Sequence, residues 1–372
     1  MPDFVIVGGG VYGCAVAWHL AKQGADVCLL ETETVASGAS GGLGKRGVRA
    51  NGRDVRELPF MKLAYDIWPT LHEQLGAPTG YERTGHLLLI EREQDFLEME
   101  AQAWMQEKQG IASVMLDQTQ LREKEPFVSE QIIAAVYCPD DGIADHTATT
   151  RAYAQAAKAM GADIREYTAV QGLEQQNGRV VAVTTAKSER IAVNHSVFLL
   201  SNAHSLAFAK QQLGVTLPIW PMYPQVMLTQ PLDIMPLNHL IGHAHRTLAM
   251  KAVPGNQIMI SGGWRGQRNP ETGRGETKPD QVEGNRLEAA ATYPGLADVT
   301  IAEAAADRPE LIALDHIPII DHLPGADNLL IATGWSGHGW AIAPAVCQFL
   351  VEWVMTGNQP DLLAPFGLGR FG

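Results

Sequence analysis

The stretch 4–31 constrains the fold most, because it reads as a strand, a glycine-rich turn, a helix and a second strand. The first strand, residues 4–7, is short and entirely apolar, as expected of a parallel strand buried on both faces of a sheet. Gly8, Gly10 and Gly13 follow it with the spacing G-x-G-x-x-G. A strand, this spacing and a helix in succession predict a dinucleotide-binding turn.

Each part of this stretch has a physical role. The first glycine lets the chain turn, the second lets the backbone approach a pyrophosphate, and the third lets the helix pack on the strand. The helix, residues 14–23, would point free N–H groups and its positive dipole end at the phosphates. Glu31 ends the second strand, where a carboxylate accepts hydrogen bonds from ribose hydroxyls and would repel an adenosine 2′-phosphate. The motif by itself does not separate NAD from FAD.

Composition limits the classes of function. The 372 residues predict about two domains. A net charge of −13 and a pI of about 5.4 argue against nucleic acid or an anionic membrane surface as the main partner. The cysteines lack C-x-x-C spacing and the histidines lack H-x-x-H spacing, which predicts no disulfide framework and no metal site. With no signal peptide or apolar run of about 18 residues, we expect a cytoplasmic protein without a membrane span.

A loop of small residues follows the nucleotide motif, SGASGGLGKRGVRAN over residues 37–51. Small residues let a chain lie flat against a planar ligand, and clustered glycine N–H groups form anion-binding concavities. Lys45, Arg46 and Arg49 are the basic residues nearest the motif, and they could meet either a cofactor phosphate or an anionic substrate. A flexible surface loop is the alternative.

The middle of the chain alternates helical and extended patterns. Helical periodicity predicts helices over residues 58–75, 91–109, 118–124 and 147–160. Alternating runs on either side of Asn177-Gly178 predict a β-hairpin. The proline-punctuated stretch 218–263 is rich in strand-forming residues and indicates a largely antiparallel sheet in a second domain.

The chain repeats the strand, glycine-rich turn and helix pattern near its C-terminus. A buried strand over 328–333 runs into the glycine-rich turn 334–339, GWSGHG, and a helix over 340–355 follows. This pattern predicts a second helix N-terminus that can stabilise an electron-rich group. His338 is the histidine with the best functional context, as a cofactor contact.

Four motifs together resemble the FAD-dependent amine and amino-acid oxidoreductases, the family of glycine oxidase, sarcosine oxidase and D-amino-acid oxidase. They are GASGG at 38–42, Asp141-Gly142 through Asp145, ATGWSGHGWAIAPA at 332–345, and the tail 362–371. The resemblance covers essentially the whole chain. It implies an α/β (α+β) fold, with a Rossmann-like FAD-binding domain interleaved with a mixed, largely antiparallel β-sheet substrate domain. The implied boundaries are 1–80, 145–205 and 308–372 for the FAD-binding domain, and 81–144 and 206–307 for the substrate-binding domain.

The resemblance also implies roles for single residues. Arg308 stands where family members hold the substrate carboxylate, and a planar guanidinium suits that task. Arg46 and Arg49 match paired arginines near the flavin and the substrate, and Lys251 matches a sheet position that faces the flavin. The implied catalytic residues are therefore Arg308, Arg49 and Lys251. The implied cofactor contacts are Gly8, Gly10, Val11, Tyr12, Gly13, Glu31, Thr32, Ser40, Gly41, Gly42, Arg46, Val170, Asn202, Gly334, Ser336, Gly337, His338 and Gly339.

The implied activity is that of an FAD-dependent oxidase of a small amino acid or an N-substituted glycine, such as glycine, sarcosine or iminodiacetate. Some members attach flavin through a cysteine in the segment after the Arg-Pro or through a histidine near the position of Gly41. This chain has neither, so the resemblance implies a non-covalent FAD. The imine formed by hydride transfer would hydrolyse, and oxygen would be reduced to hydrogen peroxide. A dehydrogenase serving a quinone or partner protein and a flavin-binding subunit of a complex stay open, as does a homo-oligomer. An NAD-linked dehydrogenase is disfavoured as a third alternative, because it would leave the C-terminal glycine-rich turn without a purpose.

Overall fold

A computed structural model describes residues 1–41 and 44–372, so the predicted cofactor residue Gly42 lies outside the described residues. The α-helices of the described chain are α1 (Val11–Lys22), α2 (Leu58–Ile67), α3 (Leu71–Leu75), α4 (Glu93–Lys108), α5 (Gln118–Lys124), α6 (His146–Ala159), α7 (Ser205–Leu213), α8 (Pro279–Thr292) and α9 (Gly339–Thr356). The strands are β1 (Phe4–Val7), β2 (Val27–Leu30), β3 (Lys45–Val48), β4 (His86–Ile90), β5 (Val114–Asp117), β6 (Ala134–Cys138), β7 (Gly142–Asp145), β8 (Asp163–Arg165), β9 (Val170–Gln176), β10 (Arg179–Thr185), β11 (Arg190–Ala192), β12 (Ser196–Leu199), β13 (Ile219–Met222), β14 (Val226–Thr229), β15 (Leu240–His243), β16 (Ala249–Val253), β17 (Gln257–Ser261), β18 (Gln267–Arg268), β19 (Gly275–Glu276), β20 (Ile301–Ala305), β21 (Glu310–Ala313), β22 (Ile319–His322) and β23 (Leu329–Thr333).

The first of the two large sheets has six strands in the order β22-β23-β12-β1-β2-β8. Its neighbours pair in parallel, except that β22 runs antiparallel to β23 at one edge. The strand β1 lies inside the sheet, and all four of its residues are buried, as its apolar sequence predicts. Because parallel strands end at the same edge, β1, β12 and β23 deliver their following loops to one place.

The two faces of this sheet are covered differently. Phe4 and Ile6 pack into a core shared with α1, α6 and α9, whereas Val5 and Val7 pack into a second core with the three-stranded sheet of β9, β10 and β11. The alternation follows from the two-residue period of a strand. Helices on one face and a small sheet on the other bury the strands that carry the glycine-rich turns.

A second, eight-stranded sheet has the order β20-β14-β17-β16-β15-β4-β6-β5. Its pairs are antiparallel except for β15 with β4. The predicted class, an α/β (α+β) fold with a nucleotide-binding sheet and a mixed, largely antiparallel sheet, is confirmed. The domain boundaries drawn from the sequence stay a prediction.

Several local predictions can be compared with the structure. The hairpin turn is confirmed, because Asn177 and Gly178 join β9 to β10 with φ angles of 51° and 75°. The helix predicted over 58–75 is divided into α2, a 3-10 turn at Trp68–Thr70, and α3. Pro69 explains the break, since proline has no N–H and its ring clashes with the carbonyl four residues earlier.

The last helix, α9, is the one helix of the described chain that is long and apolar enough to cross a membrane by length and composition. The sequence was expected to hold no run of this kind. In the fold, 67% of its apolar window is buried. Its residues Ile342, Val346 and Leu350 belong to the core that covers the central sheet.

Candidate active site

The nucleotide turn, residues 8–13, has the geometry that its three glycines predict. Gly8 has a φ of 114°, and a Cβ added there would lie 2.7 Å from the carbonyl oxygen of Leu200. A Cβ added at Gly13 would lie 1.9 Å from the carbonyl oxygen of Gly8, so the helix can approach the strand only at a glycine. Gly10 is the N-cap residue of α1, and a Cβ added to it meets no protein atom within 4 Å. Gly8 and Gly13 thus satisfy the protein's own packing, while Gly10 borders open space where a ligand can approach.

Glu31 closes the turn from the neighbouring strand. Its carboxylate accepts hydrogen bonds from the backbone N–H of Gly9 at 2.6 Å and of Glu33 at 2.8 Å. The backbone N–H of Thr168 donates to the Glu31 carbonyl at 2.7 Å, which brings the start of β9, at Val170, toward the same corner. Thr32 follows on the exposed surface of the loop. The predicted ribose-binding carboxylate therefore stands beside the glycine backbone.

The loop after β2 reaches the same region. Arg46 on β3 is partly buried, and its Nη2 donates a 2.9 Å hydrogen bond to the carbonyl oxygen of Ser40. A Cβ added at Gly41, whose φ is 73°, would meet the guanidinium of Arg46 at 3.5 Å. Arg46 thus holds the backbone of the small-residue loop at Ser40.

The C-terminal turn, residues 334–339, joins the nucleotide turn directly. Gly334, Ser336 and Gly337 have positive φ angles of 69°, 53° and 80°. Trp335 stacks on Tyr12, with ring centroids 3.8 Å apart and planes 16° apart. This arrangement brings the N-terminal ends of α1 and α9 together, and the N–H groups of each first turn have no helix carbonyl to bind.

A second contact locks the two turns. The Tyr12 hydroxyl donates a 2.6 Å hydrogen bond to the carbonyl oxygen of Gly339. A Cβ added at Gly339 would lie 2.7 Å from the indole of Trp335, so this position also requires a small residue. The glycine therefore serves the packing of the turn.

His338 is the N-cap residue of α9 and belongs to a buried polar cluster that the sequence did not predict. Its carbonyl oxygen accepts a 2.7 Å hydrogen bond from Nη2 of Arg53, and Arg53 forms a fully buried ion pair with Glu57 at 3.0 Å. Burial, followed by the charges of Arg49 and Arg53, holds the pKa of His338 well below its usual value. The imidazole is therefore neutral at physiological pH. An i, i+4 Arg-Glu spacing is the only sequence signal for this pair, and it is equally typical of a helix surface.

Three cationic side chains come together near this cluster, the buried Lys251 and the partly buried Arg46 and Arg49. Met250 points into the core of the eight-stranded sheet, so the two-residue period of β16 places Lys251 on the opposite face. Burial lowers the pKa of Lys251 to about 7, and the charges of Arg46 and Arg49 add to the effect. No hydrogen bond or ion pair to the Lys251 ammonium occurs within residues 1–41 and 44–372. We name Arg46, Arg49, Lys251 and the nearby Arg308 the cationic cluster.

Arg49 takes its place from the turn that follows β3. Asp141 is fully buried, and its carboxylate accepts hydrogen bonds from the backbone N–H groups of Ala50 at 2.6 Å and Asn51 at 3.2 Å. The Tyr65 hydroxyl donates to the same carboxylate at 2.5 Å. Arg49 itself donates to the Asn51 carbonyl oxygen at 2.5 Å. One acid thus shapes the backbone on which a cluster residue stands.

Arg308 lies at the edge of the cationic cluster and is less enclosed. About a third of its side chain is exposed, at 34%, and its Nε lies 3.5 Å from a carboxylate oxygen of Asp307. Its charge, after burial, contributes to lowering the pKa of Arg46 to about 10. The structure therefore brings Arg308 to the same region as Arg46, Arg49 and Lys251.

One group of possible metal ligands lies elsewhere. Glu91, His243 and His245 each place a ligand atom within 4.8 Å of the others. The Nδ1 of His243 accepts from the backbone N–H of His245 at 3.4 Å and of Arg246 at 3.3 Å, which assigns the imidazole proton to Nε2. Both Glu91 oxygens accept from Arg246, at 2.7 and 2.8 Å. The Nδ1 of His243 and both Glu91 oxygens are thus engaged within the protein, whereas Nε2 of His243 is buried without a hydrogen-bond partner among the described residues, and the expected lack of a metal stays a prediction.

The fold and the site define a dinucleotide-binding α/β protein in which two helix N-termini meet and four cationic side chains lie close together. The chain belongs to the DAO family of FAD dependent oxidoreductases, whose family model matches residues 3–353. The glycines, Glu31 and the two helix ends fit FAD, the cofactor of this family. The predicted cofactor and enzyme class are confirmed.

Individual relatives agree with this family. The chain is 27% identical to glycine oxidase of Bacillus licheniformis over 96% of this chain and 93% of that protein. It is 24% identical to the mouse mitochondrial pyruvate dehydrogenase phosphatase regulatory subunit, of which it spans 43%. The crystal structure of L-proline dehydrogenase from P. horikoshii superposes with a TM-score of 0.89 at 25% identity, covering 100% of this chain and 97% of that one.

Proposed function

We propose that the protein is an oxidase of a small amino acid or N-substituted glycine, such as glycine, sarcosine or iminodiacetate. The observation that carries this proposal is the cationic cluster, which gathers positive charge around the buried Lys251, beside the small-residue loop that Arg46 contacts and beside His338 of the C-terminal turn. Bound FAD supplies the two-electron acceptor for the oxidation of the carbon–nitrogen bond. The side chains then have to bind the substrate, orient it and exclude water.

The substrate carboxylate is the group that the cluster is suited to hold. Arg308 is reachable from solvent, and its guanidinium can bind a carboxylate through two parallel hydrogen bonds. Arg49 and Arg46 lie deeper, where low dielectric strengthens their attraction for an anion. A substrate held by its carboxylate presents the carbon next to nitrogen in a fixed orientation, which is the main contribution of binding to rate.

Lys251 motivates a sharper form of the proposal, a substrate with two carboxylates. The Lys251 ammonium is buried, its pKa is about 7, and it has no acidic partner among the described residues. A carboxylate brought by the ligand would therefore stabilise its charged form. Iminodiacetate carries a carboxylate on each side of its nitrogen and could engage Arg308 and Lys251 together. If sarcosine is turned over far better than iminodiacetate at equal concentration, the dicarboxylate form is wrong.

The neutral His338 contributes to the same site without carrying charge. Its low pKa keeps it from adding a cation beside the cluster, and the Arg53 bond to its carbonyl fixes the first turn of α9. The N–H groups of that turn are then held in position to stabilise negative charge that develops on a bound group. We assign to His338 a contact role and no proton transfer.

Two alternatives follow from relatives. The likeness to an L-proline dehydrogenase favours an enzyme that passes electrons to a quinone or partner protein. The likeness to a regulatory subunit favours a flavin-binding component of a complex. The cytoplasmic location, the oxygen acceptor and homo-oligomer formation stay predictions.

The visible spectrum of the purified protein tests the proposal. Anaerobic addition of glycine, sarcosine, iminodiacetate, D-alanine and L-proline in turn should bleach the oxidised-flavin bands with one of the first three. Admission of air should then restore the bands and release hydrogen peroxide in proportion to the substrate. Bleaching that air does not reverse would favour the dehydrogenase, and bands that no amine bleaches would favour the subunit.

A further inference from the structure

Glu310 is a buried carboxylate that lies two residues after Arg308, and nothing in the proposed reaction uses it. It begins β21 and is 5% exposed. Burial raises the pKa of its carboxyl group, and hydrogen bonds together with the charge of Arg46 oppose the rise. A buried acid is costly unless its oxygens are satisfied, so the identity of its partners indicates its role.

Both oxygens of Glu310 bind segments that surround the expected cofactor. Oε2 accepts a short hydrogen bond from the Ser40 hydroxyl, and Oε1 accepts one from the Asn202 side-chain N–H at 3.1 Å. Asn202 follows β12 with a positive φ of 32°, a conformation that asparagine tolerates better than most residues. The hydroxyl of Thr333, at the end of β23, lies 3.4 Å from the Asn202 carbonyl and side-chain oxygens.

Ser40 is therefore held from two sides. Arg46 fixes its carbonyl oxygen at 2.9 Å, and Glu310 fixes its hydroxyl. The segment between residues 37 and 41 has no helix or strand hydrogen bonds of its own, so its shape depends on such contacts. Glu310 connects this segment to the ends of β12 and β23, which deliver the other cofactor-facing loops.

We propose that Glu310 is a positioning residue that holds the Ser40 segment and Asn202 in the shape that binds FAD. Its hydrogen bonds carry this role, and its negative charge offsets the partly buried Arg46. The proposal rests on the cofactor of the family and is independent of the substrate and of the electron acceptor.

The test is the affinity of the full-length, deflavinated chain for FAD, measured by quenching of flavin fluorescence. Glu310→Ala should weaken FAD binding at least tenfold, because Ser40 and Asn202 lose their shared acceptor. Glu310→Gln should restore binding to within about threefold of the wild type, since the Ser40 hydroxyl can rotate and both hydrogen bonds can form. Glu303→Ala, at an exposed position of β20, is the matched control and should leave the affinity unchanged.

A double-mutant cycle separates positioning from a general loss of structure. Ser40→Ala should weaken FAD binding, and Glu310→Ala should weaken it less in the Ser40→Ala chain than in the wild type, because only the contact with Asn202 is left to lose. The unfolding temperature of each chain without FAD, followed by circular dichroism, should change less than the temperature at which the holoprotein releases its flavin. Unchanged or tighter FAD binding in Glu310→Ala overturns the proposal, as does a Gln variant that binds as weakly as the Ala variant.

Discussion

The nucleotide turn and the cationic cluster are built in opposite ways. The nucleotide turn consists of backbone from one short segment, in which Gly8 and Gly13 allow a close approach of strand and helix. The cationic cluster consists of side chains from β3, the turn after it, β16 and the segment before β21. The nucleotide turn offers a ligand the dipoles of neutral peptide groups, whereas the cationic cluster offers charged side chains.

The difference has an energetic consequence. Backbone N–H groups at a helix end are left unpaired by helix geometry itself, so a site built from them costs the fold little. Buried cations cost several kcal/mol each before they are compensated. The fold tolerates the cluster because Asp141 and the Arg53–Glu57 pair anchor the surrounding backbone. A cofactor or substrate anion would complete the compensation.

The largest effect is expected from adding one carbon to the nucleotide turn. Gly13→Ala places a Cβ 1.9 Å from the Gly8 carbonyl oxygen, so the FAD-free chain should lose about 3 kcal/mol or more of unfolding free energy. Gly10→Ala is the matched control, because its Cβ meets nothing within 4 Å of the protein. It should leave the FAD-free stability within about 0.5 kcal/mol of the wild type while weakening FAD binding. Urea unfolding and FAD titration of both variants check this; equal stability losses would remove the distinction between packing and ligand approach.

The next largest effect is expected at Arg308, the partly exposed member of the cationic cluster. Arg308→Lys keeps the charge but loses the planar fork, so we expect kcat/KM for the substrate to fall about 100-fold. FAD affinity should stay as in the wild type, because the side chain lies at the edge of the cluster. Arg268→Lys, at an exposed position, is the control for a change of the same kind. Steady-state kinetics on the amine that bleaches the flavin give the result, and a loss of FAD with unchanged kcat/KM would assign Arg308 to the cofactor instead.

The third prediction uses pH to measure how much the buried charge of Lys251 lowers the stability of the fold. The folded-state pKa of Lys251 is about 7, below its ordinary value of 10.5, so folding opposes its protonation. Lys251→Met should therefore stabilise the FAD-free chain below pH 7, by an amount on the order of 2 kcal/mol, and the gain should shrink as pH rises from 7 to 10.5. Urea unfolding at pH 6 and pH 10 measures it, with the exposed Lys187→Met as control. A gain that does not depend on pH would show that packing, and not charge, sets the cost.

The nucleotide turn could be predicted from the sequence more completely than the cationic cluster. The turn at Gly8, Gly10 and Gly13 could be predicted because its glycines, its helix and Glu31 lie within one segment, and each requirement is local. The hairpin at Asn177 and Gly178 was equally local.

The charged part of the site was predicted less completely. Arg46 and Arg49 stood out as basic residues near the nucleotide motif, whereas Lys251 and Arg308 came from a family resemblance. A lone lysine in a strand is ordinarily exposed, so the burial of Lys251 had no local signal. Glu310 was missed because its partner Ser40 lies 270 residues away. Such pairs exist only after the fold has brought the segments at Ser40, Asn202 and Glu310 together.

The smallest effect tests the joint between the nucleotide turn and the C-terminal turn. Tyr12→Phe keeps the stacking on Trp335 but leaves the buried Gly339 carbonyl oxygen without its 2.6 Å donor, which should cost about 1 kcal/mol of stability. Tyr167→Phe, at an exposed position, should change the stability by less than about 0.5 kcal/mol. Because the lost bond links two helix ends that we expect to face the cofactor, FAD affinity in Tyr12→Phe should fall more than its FAD-free stability implies. If both fall in proportion, the hydroxyl only supports packing, and the two turns bind the cofactor independently of each other.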